Sequence, residues 1–78
     1  MPTFQTRLIT VREAWYAMEE GQDLFSVSNP LTRRSRAIVD FMPIRSRTGR
    51  LLFWVVFDDG RMKIMDGDDS VYLLSMAA

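Results

Sequence analysis

The chain has no cysteine and no histidine. Without cysteine no disulfide framework can form, and nothing points to an oxidising compartment. Without histidine the usual zinc ligand and the commonest general base are both missing. The two absences argue against an enzyme, and neither a cofactor nor a metal is expected. No apolar run approaches the roughly 20 residues of a membrane span. The opening "MPTFQTRLIT" lacks the apolar core of a signal peptide, so a cytoplasmic protein with no membrane partner is expected. Internal repeats and low-complexity tracts are absent too. Lysine is nearly so: nine of the ten basic residues are arginine, which leans toward geometric recognition by guanidinium groups rather than toward solubility alone.

With 78 residues the chain makes one domain, 1–78. A chain this short buries only about 60 to 65% of its unfolded surface, so its core can supply a few kcal/mol at most. Net charge is zero, but it is unevenly spread. Residues 31–50 hold six arginines against Asp40, whereas residues 58–69 hold five aspartates against Arg61 and Lys63. Residues 10–23 are acidic as well, and the pattern predicts an electrically dipolar molecule.

Local signals place one clear helix. Thr10 and Glu13 form a capping box, Gly21 provides a C′ stop, and Val11, Ala14, Trp15 and Met18 recur on one stripe. The remaining segments read as strands over Phe4–Ile9, Leu24–Ser28, Arg36–Arg45, Arg50–Phe57 and Arg61–Met65. Two-residue turns at Thr48-Gly49 and Asp59-Gly60 should join the last three strands into a meander. Pro43 cannot donate to a ladder, so it marks a bulge or an edge. "SNPLTRRSR" is a polar, proline-broken connection, expected to be solvated and mobile. "DDSVYLLSMAA" reads as a short C-terminal helix capped by Asp68, Asp69 or Ser70. The expectation is an α+β domain, with one N-terminal helix packed on a four- to five-stranded antiparallel sheet in the order β-α-β-β-β-β.

One helix covers one face of such a sheet. Pairing through the Asp59-Gly60 turn sets Phe57 against Met62 and Trp54 against Met65. Phe53, Val55, Phe57, Met62 and Ile64 then lie under the helix, and so does Ile44. Leu52, Trp54, Val56 and Met65 lie on the other face with Arg61, Lys63 and Arg45 as a basic rim. That face needs a cover. The favoured one is internal, with Val71, Tyr72, Leu73, Leu74 and Met76 folding back over Trp54. The alternative is external, a partner protein or a second copy, with Trp54 as an anchor.

Several residues bear on chemistry. The aspartates of "DGDDS" fail the spacing of a calcium loop and read as a cap or an acidic turn. Arg45, Arg47 and Arg50 sit at a hairpin tip and Arg33, Arg34 and Arg36 on a loop, where they can meet carboxylates or phosphates. For most of the six, solvated charges that keep a strand soluble are the simpler explanation. Tyr16 falls on the polar side of the helix, where Arg12 one turn earlier offers a cation–π partner.

The segment "ITVREAWYAMEEGQDLFSV", Ile9 to Val27, resembles the start of many small phage and mobile-element accessory proteins. They share a capped helix of the form E-A-x-x-x-h-x-x-G followed at once by a strand. The resemblance implies a short, non-catalytic inhibitor that acts by binding, as anti-CRISPR and other anti-defence proteins do, in the cytoplasm of a bacterial host. It carries over no functional residue. The expected function is thus a non-enzymatic protein-binding module that blocks a bacterial protein or ribonucleoprotein complex. Trp54, Arg61, Lys63, Arg45, Arg47, Arg50 and Tyr16 are its candidate contacts. The alternatives are a small nucleic-acid-binding protein using the Arg33–Arg50 region, with Arg33, Arg34 and Arg36, and a structural homodimer.

Overall fold

Seven segments take up regular structure in the computed structural model, which describes residues 3–20 and 24–77. They are β1 (Thr3–Thr10), α1 (Val11–Glu19), β2 (Leu24–Ser26), β3 (Ala37–Arg45), β4 (Leu51–Phe57), β5 (Met62–Asp66) and β6 (Ser70–Ala77). The α+β class is as expected, but the antiparallel sheet has six strands, ordered β1-β6-β2-β3-β4-β5. The C-terminal segment is a strand, not a helix. An isolated helix of that length is marginal, whereas β6 pairs with β1 from Thr3↔Ala77 to Thr10↔Ser70 and with β2 from Leu24↔Leu74 to Ser26↔Tyr72. Its alternation also suits a strand, since Val71 and Leu73 are buried between the more exposed Ser70, Tyr72 and Leu74.

Helix α1 begins at the expected Thr10 cap, with the reciprocal half of the capping box made by the Thr10 hydroxyl instead of its backbone N–H. The Glu13 N–H donates to Thr10 Oγ1 at 3.1 Å, and the Thr10 hydroxyl donates to Glu13 Oε1 at 3.1 Å. Two more first-turn donors are met from outside the helix: Val11 N–H reaches the Asp69 carbonyl (2.8 Å) and Arg12 N–H the Gly67 carbonyl (3.0 Å). The turn between β5 and β6 therefore completes the helix start. Val11 and Ala14 are fully buried, and Trp15 and Met18 close over the core margin. The expected C′ residue, Gly21, lies outside the described residues.

The core is built of aromatic contacts along the covered side of the sheet. Trp15 meets Phe53 with ring centroids 5.4 Å apart, Phe53 meets Phe41 at 6.5 Å, and Phe41 meets Phe25 at 6.0 Å. Val55, Val71, Leu73, Ile9 and Ile38 fill the space around them.

Strands β3, β4 and β5 form the expected meander, but both hairpins are displaced by one residue from the expected register. Phe57 N–H donates to the Arg61 carbonyl and Gly60 N–H to the Phe57 carbonyl; likewise Ser46 N–H donates to Arg50 and Gly49 N–H to Ser46. Each loop has three residues and ends in a left-handed glycine, Gly60 at φ 86° or Gly49 at φ 82°. A type I′ turn needs two consecutive positive φ angles, and no described non-glycine residue has one. The true pairs are Trp54↔Ile64, Val55↔Lys63, Ile44↔Leu52 and Arg45↔Leu51.

Pro43 sits inside β3, opposite Phe53. It is tolerated because β2 pairs only with Ala37 and Ile38, leaving the far end of β3 as a local edge. The irregularity itself lies at Ile38/Asp40, where Val39 is extruded.

Gly67 is buried at the place where the β5–β6 turn docks on β4. Its N–H donates to the Leu51 carbonyl at 3.0 Å. A Cβ there would lie 3.2 Å from that oxygen and 3.3 Å from the Phe53 ring. Both are held by the sheet, so Gly67→Ala should lower unfolding free energy by about 1–3 kcal/mol in urea titrations. An unchanged midpoint would mean that the docking is loose. Thr10→Ala should cost about 1 kcal/mol through the lost cap.

Candidate interaction surfaces

The corrected register decides which residues share a face. Phe53 and Val55 are fully buried on the core side, so Lys63, opposite Val55, and Arg45, opposite Leu51, lie on that side too. They do not rim Trp54. Trp54 lies instead between Met42 on β3 and Ile64 on β5, with Leu52 beside Ile44 and Val56 beside Met62. Lysine and arginine are absent from these positions, whose charges are Asp40 and Asp66.

Nothing folds over this surface among the described residues. Val71, Tyr72, Leu73, Leu74 and Met76, expected as its cover, are committed to β6, which lies between β1 and β2. Ile64 is 48% exposed, Met62 47% and Met42 38%, while Leu52, Trp54 and Val56 are half-buried by their neighbours alone. Farther along the same side of the sheet lie Leu8, Tyr72, Leu74 and Leu24, and Leu8 and Leu24 are also well exposed. Sequence reasoning missed Met42, Ile64 and Met62 because it assumed two-residue turns. The glycine at the third loop position in "DDG" and "RTG" was the available signal.

The fold pairs part of the two oppositely charged stretches with one another. Arg50 pairs with Asp66, Arg12 with Asp68 at 3.5 Å, and Arg36 with Asp59 at 2.8 Å; Arg61 Nε lies 3.6 Å from the same Asp59 carboxylate. The arginine-rich and aspartate-rich stretches thus become neighbours. The carboxylates of "DGDD" serve structure: Asp68 N–H donates to Asp66 Oδ1 and Asp66 N–H to Asp69 Oδ2, each at 2.9 Å. Tyr16 stacks on Trp15 with centroids 5.0 Å apart, while Arg12 turns to Asp68 instead of to the tyrosine ring. Tyr16, Trp15, Pro43, Arg45 and Leu51 line a shallow hollow at the helix flank. Arg47 is exposed at the hairpin tip.

A second surface gathers cations. Beyond the reach of the helix, Arg34, Arg36 and Lys63 line an open groove of about 520 Å³ floored by Val27 and Phe57, with Asp58 at its margin. Arg33 lies next to this group in the loop and is exposed. That loop is turned back on itself at Asn29, whose side chain accepts from Leu31 N–H at 3.0 Å and whose carbonyl accepts from Thr32 N–H and Arg33 N–H.

Asp66 titrates below an ordinary aspartate. The Asp68 N–H, then the Arg50 guanidinium, hold its carboxyl below the usual range. A depressed folded pKa contributes stability above the unfolded value and loses it as pH falls through the folded one. Urea midpoints of the wild type should therefore fall below about pH 4, and those of Asp66→Asn should fall less over the same interval. Parallel acid limbs would show that Asp66 takes no part.

Among the described residues no helix is long and apolar enough to cross a membrane. Comparison with protein-family models, with curated proteins and with solved structures gave no match to this chain, so its surfaces speak through their own chemistry.

Proposed function

We propose that the chain is a non-enzymatic protein-binding module whose contact surface is the outer side of the β3-β4-β5 meander, centred on Trp54. One observation carries the reading: Met42, Ile44, Leu52, Trp54, Val56, Met62 and Ile64 adjoin one another with no cover from the chain's single helix. A small domain has little core to spare, and adjoining apolar side chains left on its surface mark interaction sites. Trp54 supplies a rigid anchor set among two flexible methionines that can adapt to a partner. The partner's matching surface is mainly apolar, since the charges of the patch are Asp40 and Asp66, the latter paired with Arg50. The resemblance of residues 9–27 to phage and mobile-element accessory proteins gives this module a specific form, an inhibitor that occludes a bacterial macromolecular complex.

The test is capture from bacterial lysate followed by affinity measurement with the identified partner. Trp54→Ala should weaken binding at least about 30-fold, the equivalent of a hot-spot loss near 2 kcal/mol. Arg34→Glu and Lys63→Glu should leave it within a few-fold. The reverse pattern would sink the assignment.

The cationic groove favours a second reading, a nucleic-acid-binding protein that uses Arg33, Arg34, Arg36 and Lys63. Binding through several phosphates weakens steeply with salt. Gel shifts with single- and double-stranded oligonucleotides at low salt should show no complex if the protein-binding reading is right.

A further inference from the structure

Strand β1 is the edge of the sheet, and it lacks the devices that natural edges use against pairing. It runs eight residues in unbroken register with β6, without a bulge, and from Thr3 to Thr10 it contains neither proline nor lysine. The opposite edge, β5, is shorter at five residues and carries Lys63. A long, regular edge with little charge offers its unpaired backbone groups as a template for another strand. In β1 the single charge is Arg7.

The far half of β1 is also short of neighbours. Strand β2 reaches only Tyr72, Leu73 and Leu74 of β6, so beyond Leu74 the β1–β6 pair is a two-stranded ribbon. Thr3, Phe4 and Gln5 are all exposed there. Two strands alone are marginal in water, and a third or fourth is needed for independent stability.

We infer that β1 pairs antiparallel with β1 of a second copy, centred on Thr6, to give a continuous β6-β1-β1-β6 ribbon across a two-fold axis. The side chains choose this register. With Thr6 opposite Thr6, Phe4 of each copy meets Leu8 of the other on the outer side of the sheet. These residues are 58% and 57% exposed in the single chain. On the other side Gln5 meets Arg7, an amide beside a guanidinium. Sliding the centre to Arg7 would oppose the two guanidinium groups and set Leu8 against Thr6. Opposed apolar pairs favour the first register and opposed like charges disfavour the second. Pairing through identical edges closes after two copies, because β5 offers no equivalent seam. The Trp54 surface stays free, so this association and the binding proposed above stand or fall separately.

The test uses the full chain. Sedimentation velocity from micromolar to near-millimolar concentration should show a reversible monomer–dimer equilibrium. Leu8→Lys, which sets an ammonium against the partner's Phe4, should weaken it at least tenfold, while Trp54→Asp leaves it unchanged. The chain has no native cysteine, so single cysteines report the register directly. Directly opposed residues lie about 4.5–5.5 Å apart at Cα, within disulfide reach. Thr6→Cys should oxidise to a covalent dimer. Gln5→Cys should not, since in this register the two copies of residue 5 are roughly 8 Å apart. A wild type that stays monomeric throughout overturns the proposal. So does a dimer lost on Trp54→Asp but kept on Leu8→Lys, or equal cross-linking at residues 5 and 6.

Discussion

Strand β6 is hydrogen-bonded on both sides, along its full length to β1 and at Tyr72, Leu73 and Leu74 to β2, and this double ladder governs the rest. It joins the first strand of the chain to the last, and it buries Val71 and Leu73 in the same core as Phe25 and Phe53. It also uses up the apolar segment that could otherwise fold over the meander. Had residues 70–77 formed a helix, Trp54 would have a roof, but β1 would lose its one partner strand. A backbone strand without a ladder leaves polar groups unsatisfied along its length, whereas half-exposed apolar side chains are cheaper to tolerate. The open outer surface follows from where the chain spends its last strand.

The turn at Asp66–Asp69 prepares that placement. Its carbonyls take the first N–H groups of α1, its Gly67 docks on Leu51, and its carboxylates bind within the turn or pair with Arg50 and Arg12. Helix, meander and final strand are tied together at one point. The same arrangement brings one arginine of the arginine-rich stretch, Arg50, onto the aspartate-rich one, as Arg36 does at Asp59. Exposed ion pairs of this sort add little stability, about 0–1 kcal/mol each. Their effect here is to neutralise charge locally, and the cations left without a carboxylate within 4 Å among the described residues include Arg34 and Lys63.

Local signals in the sequence were legible where the physics is local. The Thr10–Glu13 cap, the Val11–Ala14–Trp15–Met18 stripe and the five strands before residue 66 all lie where composition and periodicity place them. Two features differ from the sequence expectation, one set by distant strands and one by the choice between two local turn types. Residues 70–77 carry a plausible helix cap, but their alternation is satisfied only when β1 and β2 supply ladders from 20 or more positions away. The hairpin loops turn on whether a glycine is the second or the third loop residue, and "DG" alone supports both. For the candidate site, Leu52, Trp54 and Val56 are legible together with their need for a cover, but Met42, Ile44, Met62 and Ile64 beside them are not.

That single-residue difference has large consequences because side chains in a strand alternate. Moving β5 by one position replaces Met65 with Ile64 opposite Trp54 and Lys63 with Met62 opposite Val56, and moving β3 replaces Arg45 with Ile44 opposite Leu52. An apolar centre with a basic rim, suited to an acidic partner, becomes an almost uncharged patch suited to an apolar one. The displaced cation Lys63 reappears on the core side, where it joins Arg34 and Arg36 over the groove. Register therefore sorts the chemistry of this small sheet into two separate surfaces. A partner that needs both apolar contact and positive charge would have to reach around the β5 edge to find them.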